Sequence, residues 1–71
     1  MKIYRAYING LPYFAEILPY ALNGEDEYSL SVYCKDWKGN RQEDFHHLYK
    51  SERGAELAIQ RRYPGAEWTE L

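Results

Sequence analysis

Cysteine is nearly missing: Cys34 stands alone, which rules out an intramolecular disulfide and points to a reducing, cytoplasmic setting. Long apolar runs are missing too. Residues 1–7 lack the apolar stretch of a secretory signal, and nothing approaches the ~20 consecutive apolar residues of a membrane span. Neither sign of charge dominates: nine Lys and Arg against eleven Asp and Glu leave a formal −2, which offers no global pull on nucleic acid or anionic membrane. A metal site is not expected. His46 and His47 are adjacent, neighbouring residues on a strand point to opposite faces, and no second Cys or His falls at ligand spacing.

Catalytic signatures are equally thin. The five glycines fall at turns and in one helical first turn, not in a phosphate-cradling motif. No glycine-rich oxyanion loop accompanies Cys34, which continues an apolar alternation as a small hydrophobe. Among eleven carboxylates, neighbours such as Glu43 and Asp44 arise by chance, so they do not signal paired acid–base chemistry. The expectation is a non-enzymatic chain with no cofactor. At 71 residues it makes one domain with a thin core, since a chain this small buries only about 60 % of its unfolded surface.

What the chain does have is strand pattern, one helix and many aromatic rings. Residues 2–8 are rich in β-formers, and Asn9-Gly10 is a strong two-residue hairpin signal. With that turn Ile8 pairs Leu11, Ala6 pairs Tyr13 and Tyr4 pairs Ala15. Tyr4, Ala6, Ile8, Leu11, Tyr13, Ala15 and Ile17 then share one face, opposite Ile3, Arg5, Tyr7, Phe14 and Glu16. Pro12 cannot donate to a ladder, so the second strand is expected at an edge or with a late start. The competing reading makes residues 12–18 a short helix begun by Pro12.

Residues 19–27 read as a loop with a turn at Asn23-Gly24 and an acidic tip. Tyr28, Leu30, Val32 and Cys34 alternate cleanly against Ser29, Ser31 and Tyr33. A hairpin loop over residues 36–40 leads to a strand over 41–49, with Phe45, His47 and Tyr49 on one side and Asp44, His46 and Leu48 on the other. Ser51 is a favoured N-cap, Glu52 suits the positive end of the helix dipole, and Arg61 and Arg62 suit its negative end before Pro64-Gly65 stops the helix. Leu57, Ala58, Ala55 and Ile59 form its apolar face, with Glu52, Arg53, Glu56 and Gln60 opposite. Residues 66–71 alternate as a possible fifth strand or an ordered tail. The predicted fold is α+β: a small antiparallel sheet, β-β-β-β-α, with one helix packed on one face.

Eight tyrosines, two tryptophans and two phenylalanines exceed what so small a core needs. Tyr7, Phe14 and Tyr33 fall on the face the helix does not cover, and Lys35, Lys38 and Arg41 surround Trp37 in one loop. Tyr, Trp and Arg dominate protein–protein hot spots. The expected contact set is therefore Arg5, Tyr7, Phe14, Tyr33, Trp37, Lys38 and Arg41, engaging a larger protein partner. The alternative is a single-stranded nucleic-acid binder using the same rings as a stacking platform. Against it stand the acidic runs at residues 25–27 and 43–44 and the lack of RNP-type or KH-type motifs. A homodimer through an exposed strand edge is compatible with either.

In size, acidity and aromatic content the chain resembles small accessory proteins of phages and prophages, anti-CRISPR proteins among them. That likeness covers no particular residue. It implies a protein that inhibits or regulates a host enzyme by occluding its surface.

Overall fold

The computed structural model describes residues 1–22 and 25–71, which carry five strands and one helix. Strands β1 (Lys2–Ile8) and β2 (Leu11–Leu22) form the first hairpin. Asn9 and Gly10 both have positive φ, 52° and 80°, the left-handed pair that a type I′ turn requires to match strand twist. The register is the one the turn predicts, with Ile8 opposite Leu11, Ala6 opposite Tyr13 and Tyr4 opposite Ala15. Strands β3 (Glu25–Lys35) and β4 (Arg41–Tyr49) continue the antiparallel meander.

Helix α1 (Glu52–Arg62) then crosses one face of the sheet to its far side. There β5 (Thr69–Glu70) pairs antiparallel with β1, and the Leu71 N–H donates to the Ile3 carbonyl at 2.8 Å. The sheet order is β4-β3-β2-β1-β5, and the fold is a small α+β fold as the pattern suggested.

Two prolines misled the sequence reading. β2 is neither an edge strand nor a short helix over residues 12–18: it is the twelve-residue centre of the sheet. The register explains how. Ile8 and Leu11 flank a two-residue turn and bond to each other, so odd-numbered residues of β2 aim their N–H at β1 and even-numbered ones at β3. Pro12 would aim at β3, whose pairing begins only at Tyr13 opposite Cys34. Pro19 would aim at β1, whose pairing has already ended at Ile17 opposite Lys2. Neither ring removes a ladder bond. Residues 19–22 and 25–27 are therefore strand where a loop was expected, while the Asn23-Gly24 turn itself lies outside the described residues.

A further correction concerns β4. Val32 lies opposite Phe45 but Tyr33 lies opposite Glu43, so Asp44 is the extra residue of a β-bulge. Its carboxylate, expected on the same side as His46 and Leu48, accepts a hydrogen bond from the Tyr63 hydroxyl at the end of α1.

The helix is capped as predicted. Ser51 Oγ accepts the Gly54 N–H at 2.9 Å, Glu52 sits in the first turn, and Arg61 and Arg62 sit in the last. A side chain at Gly54 would bring its Cβ within 3.1 Å of Ser51 Oγ, so this glycine leaves room for the cap. Ala55 and Ile59 are fully buried against Ala15, Ile17, Leu30 and Val32. Each fully buried Ile, Leu or Val contributes roughly 1.5–3 kcal/mol, and this cluster is what fastens the helix to the sheet.

Tyr4, Tyr13, Tyr28, Tyr49 and Tyr63 pack around the cluster together with Phe45 and Trp68. Glu56, expected on the solvent side of the helix, leans over β1. It accepts from Lys2 Nζ at 3.1 Å and from the Tyr4 hydroxyl at 3.2 Å. Those bonds, the one from Lys2 foremost, hold its carboxyl below the usual carboxylate range.

Candidate interaction face

The sheet has one face under α1 and one without a helix. Strand alternation decides which side chains the second face presents. From the pairing, Arg5, Phe14, Tyr33 and Glu43 form one row across four strands, and Ile3, Glu16, Ser31 and His46 form the next. Tyr7 stands opposite Pro12 and Lys35 opposite Arg41, which extends the face toward the β3–β4 loop. Five of the seven predicted contact residues thus meet on this face: Arg5, Tyr7, Phe14, Tyr33 and Arg41.

At the centre is a stacked aromatic pair. Phe14 and Tyr33 stack with ring centroids 5.4 Å apart and planes 20° from parallel. The Arg41 guanidinium lies over the Tyr33 ring at 3.7 Å, and Lys35 Nζ lies 5.1 Å from the Phe14 centroid. The Tyr33 hydroxyl donates to Glu16 Oε2 at 2.5 Å, while Arg41 bonds Glu43 at 2.9 Å and approaches Glu16 at 3.7 Å. Tyr33 is left only 8 % exposed on a face that no helix covers. Burial, followed by the bond to the negative Glu16, pushes its hydroxyl up to about 12. Tyr33 is therefore a support that fixes Phe14 and Arg41, and it has no bare ring face of its own.

Around this centre the surface opens. Tyr7 is 65 % exposed, with the Arg5 guanidinium 5.5 Å from its ring. Trp37 and Lys38 do not join the sheet face. They form a separate pair in the loop between Lys35 and Arg41, with Lys38 Nζ 5.0 Å from the indole centroid and Trp37 86 % exposed. That loop is rigidly built. The Asp36 carboxylate accepts the N–H groups of Lys38 and Asn40 at 2.9 Å, the Gly39 N–H bonds the Asp36 carbonyl, and Gly39 takes φ 83°.

The face extends further than the sequence suggested. β1 pairs β2 only as far as Ile17 and β4 pairs β3 only from Tyr28, so beyond those points β2 and β3 run on as a two-stranded arm. Leu18 and Tyr20, 36 % and 45 % exposed, continue the helix-free side onto it. Their signal was present as the alternation Phe14, Glu16, Leu18, Tyr20, but Pro19 hid it. Lys35 was equally legible from strand parity.

The two histidines separate as neighbours on a strand must. His46 Nε2 lies 3.1 Å from Ser29 Oγ on the helix-free side, and His47 lies on the other, stacked with Phe45 and edge-on to Tyr49. Among the described residues, no three His, Cys, Asp or Glu side chains gather in a way that would hold a metal ion, and no helix is long and apolar enough to cross a membrane. Between α1 and β1 a cleft of about 120 Å³ is lined by Tyr4, Glu56, Ile59, Gln60 and Trp68.

No protein-family model, curated protein or solved structure matches this chain.

Proposed function

We propose that this chain is a non-enzymatic, cytoplasmic protein-binding module that inhibits or regulates a larger partner by covering part of its surface, in the manner of small phage-type inhibitors. The observation that carries the reading is the helix-free face. Its aromatic centre is pre-formed by Tyr33, Glu16 and Arg41, and Tyr7 stands exposed at its margin. A surface already ordered before contact loses little side-chain freedom on binding, which favours affinity. Arg5, Tyr7, Phe14 and Arg41 supply contacts on the face, Trp37 and Lys38 supply them from the loop, and Tyr33 holds the set in place.

Sheet edges are a less suitable docking route. The bulge at Asp44 interrupts β4, and Pro19 presents no N–H along the open side of the arm. The two central rings also make a poor platform for stacked bases, because Phe14 and Tyr33 stack on each other with Lys35 and Arg41 over them.

The test is affinity capture of the full chain from a lysate of its source cells after nuclease treatment, beside the Tyr7→Ala/Trp37→Ala variant. A near-stoichiometric protein recovered by the native chain and lost by the variant is the expected result. Equal recovery by both, or recovery of nuclease-sensitive nucleic acid alone, overturns the reading.

A further inference from the structure

We infer that the surface this face receives is acidic: a protein segment whose Asp or Glu carboxylates pair with Arg5, Lys35 and Lys38. This names the partner's chemistry and rests on the protein-binding reading above.

The inference starts from how the cations at this end of the molecule are employed. Arg41 is engaged by two carboxylates, Glu16 and Glu43, and on the helix side Lys2 is engaged by Glu52 and Glu56. Arg5, Lys35 and Lys38 differ. Among the described residues each has its charged end over an aromatic ring (Tyr7, Phe14 and Trp37 in turn) and none has a carboxylate within ion-pair distance. Three of the nearby acids are already committed, while Glu67, which lines a shallow cavity with Arg5 and Tyr7, forms no ion pair with Arg5. Glu16 accepts from Tyr33 and lies beside Arg41, Glu43 pairs with Arg41, and the Asp36 carboxylate closes its own loop. Three positive groups with no internal counterion therefore remain on or beside the one face that no helix covers.

A cation resting on a ring is well placed to receive an anion. The ring steadies the long side chain along its stem while the charged end still faces water, so less freedom is lost when a carboxylate arrives. Arg5 and Lys35 stand two strands apart, which at about 4.8 Å per strand and with their offset along the sheet separates their backbones by roughly 10–12 Å. An extended segment advances about 3.3 Å per residue with alternate side chains on one face, so acidic residues four positions apart, about 13 Å, reach both cations. Carboxylates fit the site better than a nucleic-acid strand does. At the centre of the face, bases would have to displace Lys35 and Arg41 to reach the Phe14 and Tyr33 rings, whereas a carboxylate meets the charged ends directly.

The experiment titrates the full 71-residue chain, followed through its backbone amide chemical shifts, with a decaglutamate peptide and separately with a deoxythymidine decamer. At low salt the peptide is expected to shift residues 5, 7, 14, 35, 37 and 38, and the shifts weaken as salt rises to about 0.15 M. The Arg5→Gln/Lys35→Gln/Lys38→Gln variant keeps the alkyl stems over the rings, and a native-like amide spectrum confirms its fold. It is expected to bind the peptide about fivefold or more weakly, whereas Arg61→Gln, which removes a charge from the helix layer, binds as the native chain does.

Absence of shifts at low salt, shifts centred on α1, or equal binding by the triple variant overturns the inference. Tighter binding of the decanucleotide at the same residues overturns it in favour of nucleic acid. Failure here while Tyr7→Ala/Trp37→Ala still releases a captured protein removes only the acidic partner. Retention of that protein by the double variant removes the face reading itself.

Discussion

The two faces of this sheet are made by the same strands and solve burial in opposite ways. On the covered face Ala15, Ile17, Leu30 and Val32 are aliphatic and fully buried, and only a second layer, Ala55 and Ile59 of α1, removes them from water. On the helix-free face Phe14 and Tyr33 stack on each other, and Arg41 and Lys35 close over them. Aliphatic side chains offer nothing for a cation to hold, so they need a helix. Aromatic rings have a negative face, so long basic side chains can roof them while their charged ends stay in water. Aromatic excess in a sequence therefore does not by itself mean bare rings: five tyrosines pack around the helix-side core, and a sixth is buried under Arg41.

The sharpest way to break the contrast is to empty the covered face. Leu30→Ala removes a side chain of zero exposure from the centre of that cluster, and a loss of about 2–5 kcal/mol in urea unfolding is expected. In a domain this small that approaches the whole stability, so the variant should be largely unfolded at room temperature. A loss under about 1 kcal/mol would mean that the helix is not fastened by this cluster.

Tyr33→Phe tests whether the open face has a core of its own. It keeps the stack on Phe14 but leaves Glu16 without the hydroxyl that donates to it, for an expected loss of about 1 kcal/mol. The same residue predicts an alkaline signature. Its folded pKa, about 12, lies above the roughly 10 of an exposed tyrosine. Its contribution to stability is thus complete below pH ~10 and is lost as pH rises from there through about 12. The tyrosinate absorbance of the native chain minus that of Tyr33→Phe should rise with a midpoint near 12. A midpoint near 10 would mean the hydroxyl is not held by Glu16.

How much of this was legible can be said residue by residue. The Asn9-Gly10 turn set the register of the first hairpin, and parity then placed Tyr7, Phe14 and Arg5 together on the side away from the core. The helix was legible from Ser51, Glu52, Arg61 and Arg62, because caps and dipole charges act locally. What parity could not carry was anything set by a neighbour. Whether a proline harms a strand depends on where the adjacent strand starts and stops, and those limits belong to β3 and β1. The bulge at Asp44 is likewise a property of a strand pair. Tyr33 reads as a surface residue by alternation, and its burial depends on Arg41 folding back across the loop. Strand order was illegible for a related reason: β5 reaches β1 only because α1 crosses the sheet first.

The smallest effect on folding should accompany the largest effect on binding, and Tyr7→Ala is where the two faces separate most cleanly. Tyr7 lies on β1 opposite Pro12, is 65 % exposed, and has Arg5 as its one ring partner among the described residues. Truncating it removes no buried area comparable to Leu30 and leaves no donor unpaired, so unfolding free energy should change by no more than about 0.5 kcal/mol. Trp37→Ala should behave alike, since its indole stands clear of the sheet at 86 % exposure. If the helix-free face is the contact surface, each truncation should weaken the captured complex by about tenfold or more, the range of an aromatic hot spot. A variant as stable as the native chain that no longer binds its partner locates function on this face. A variant that binds normally moves it to the helix layer, where Arg53, Gln60, Arg61 and Arg62 form the exposed surface of α1.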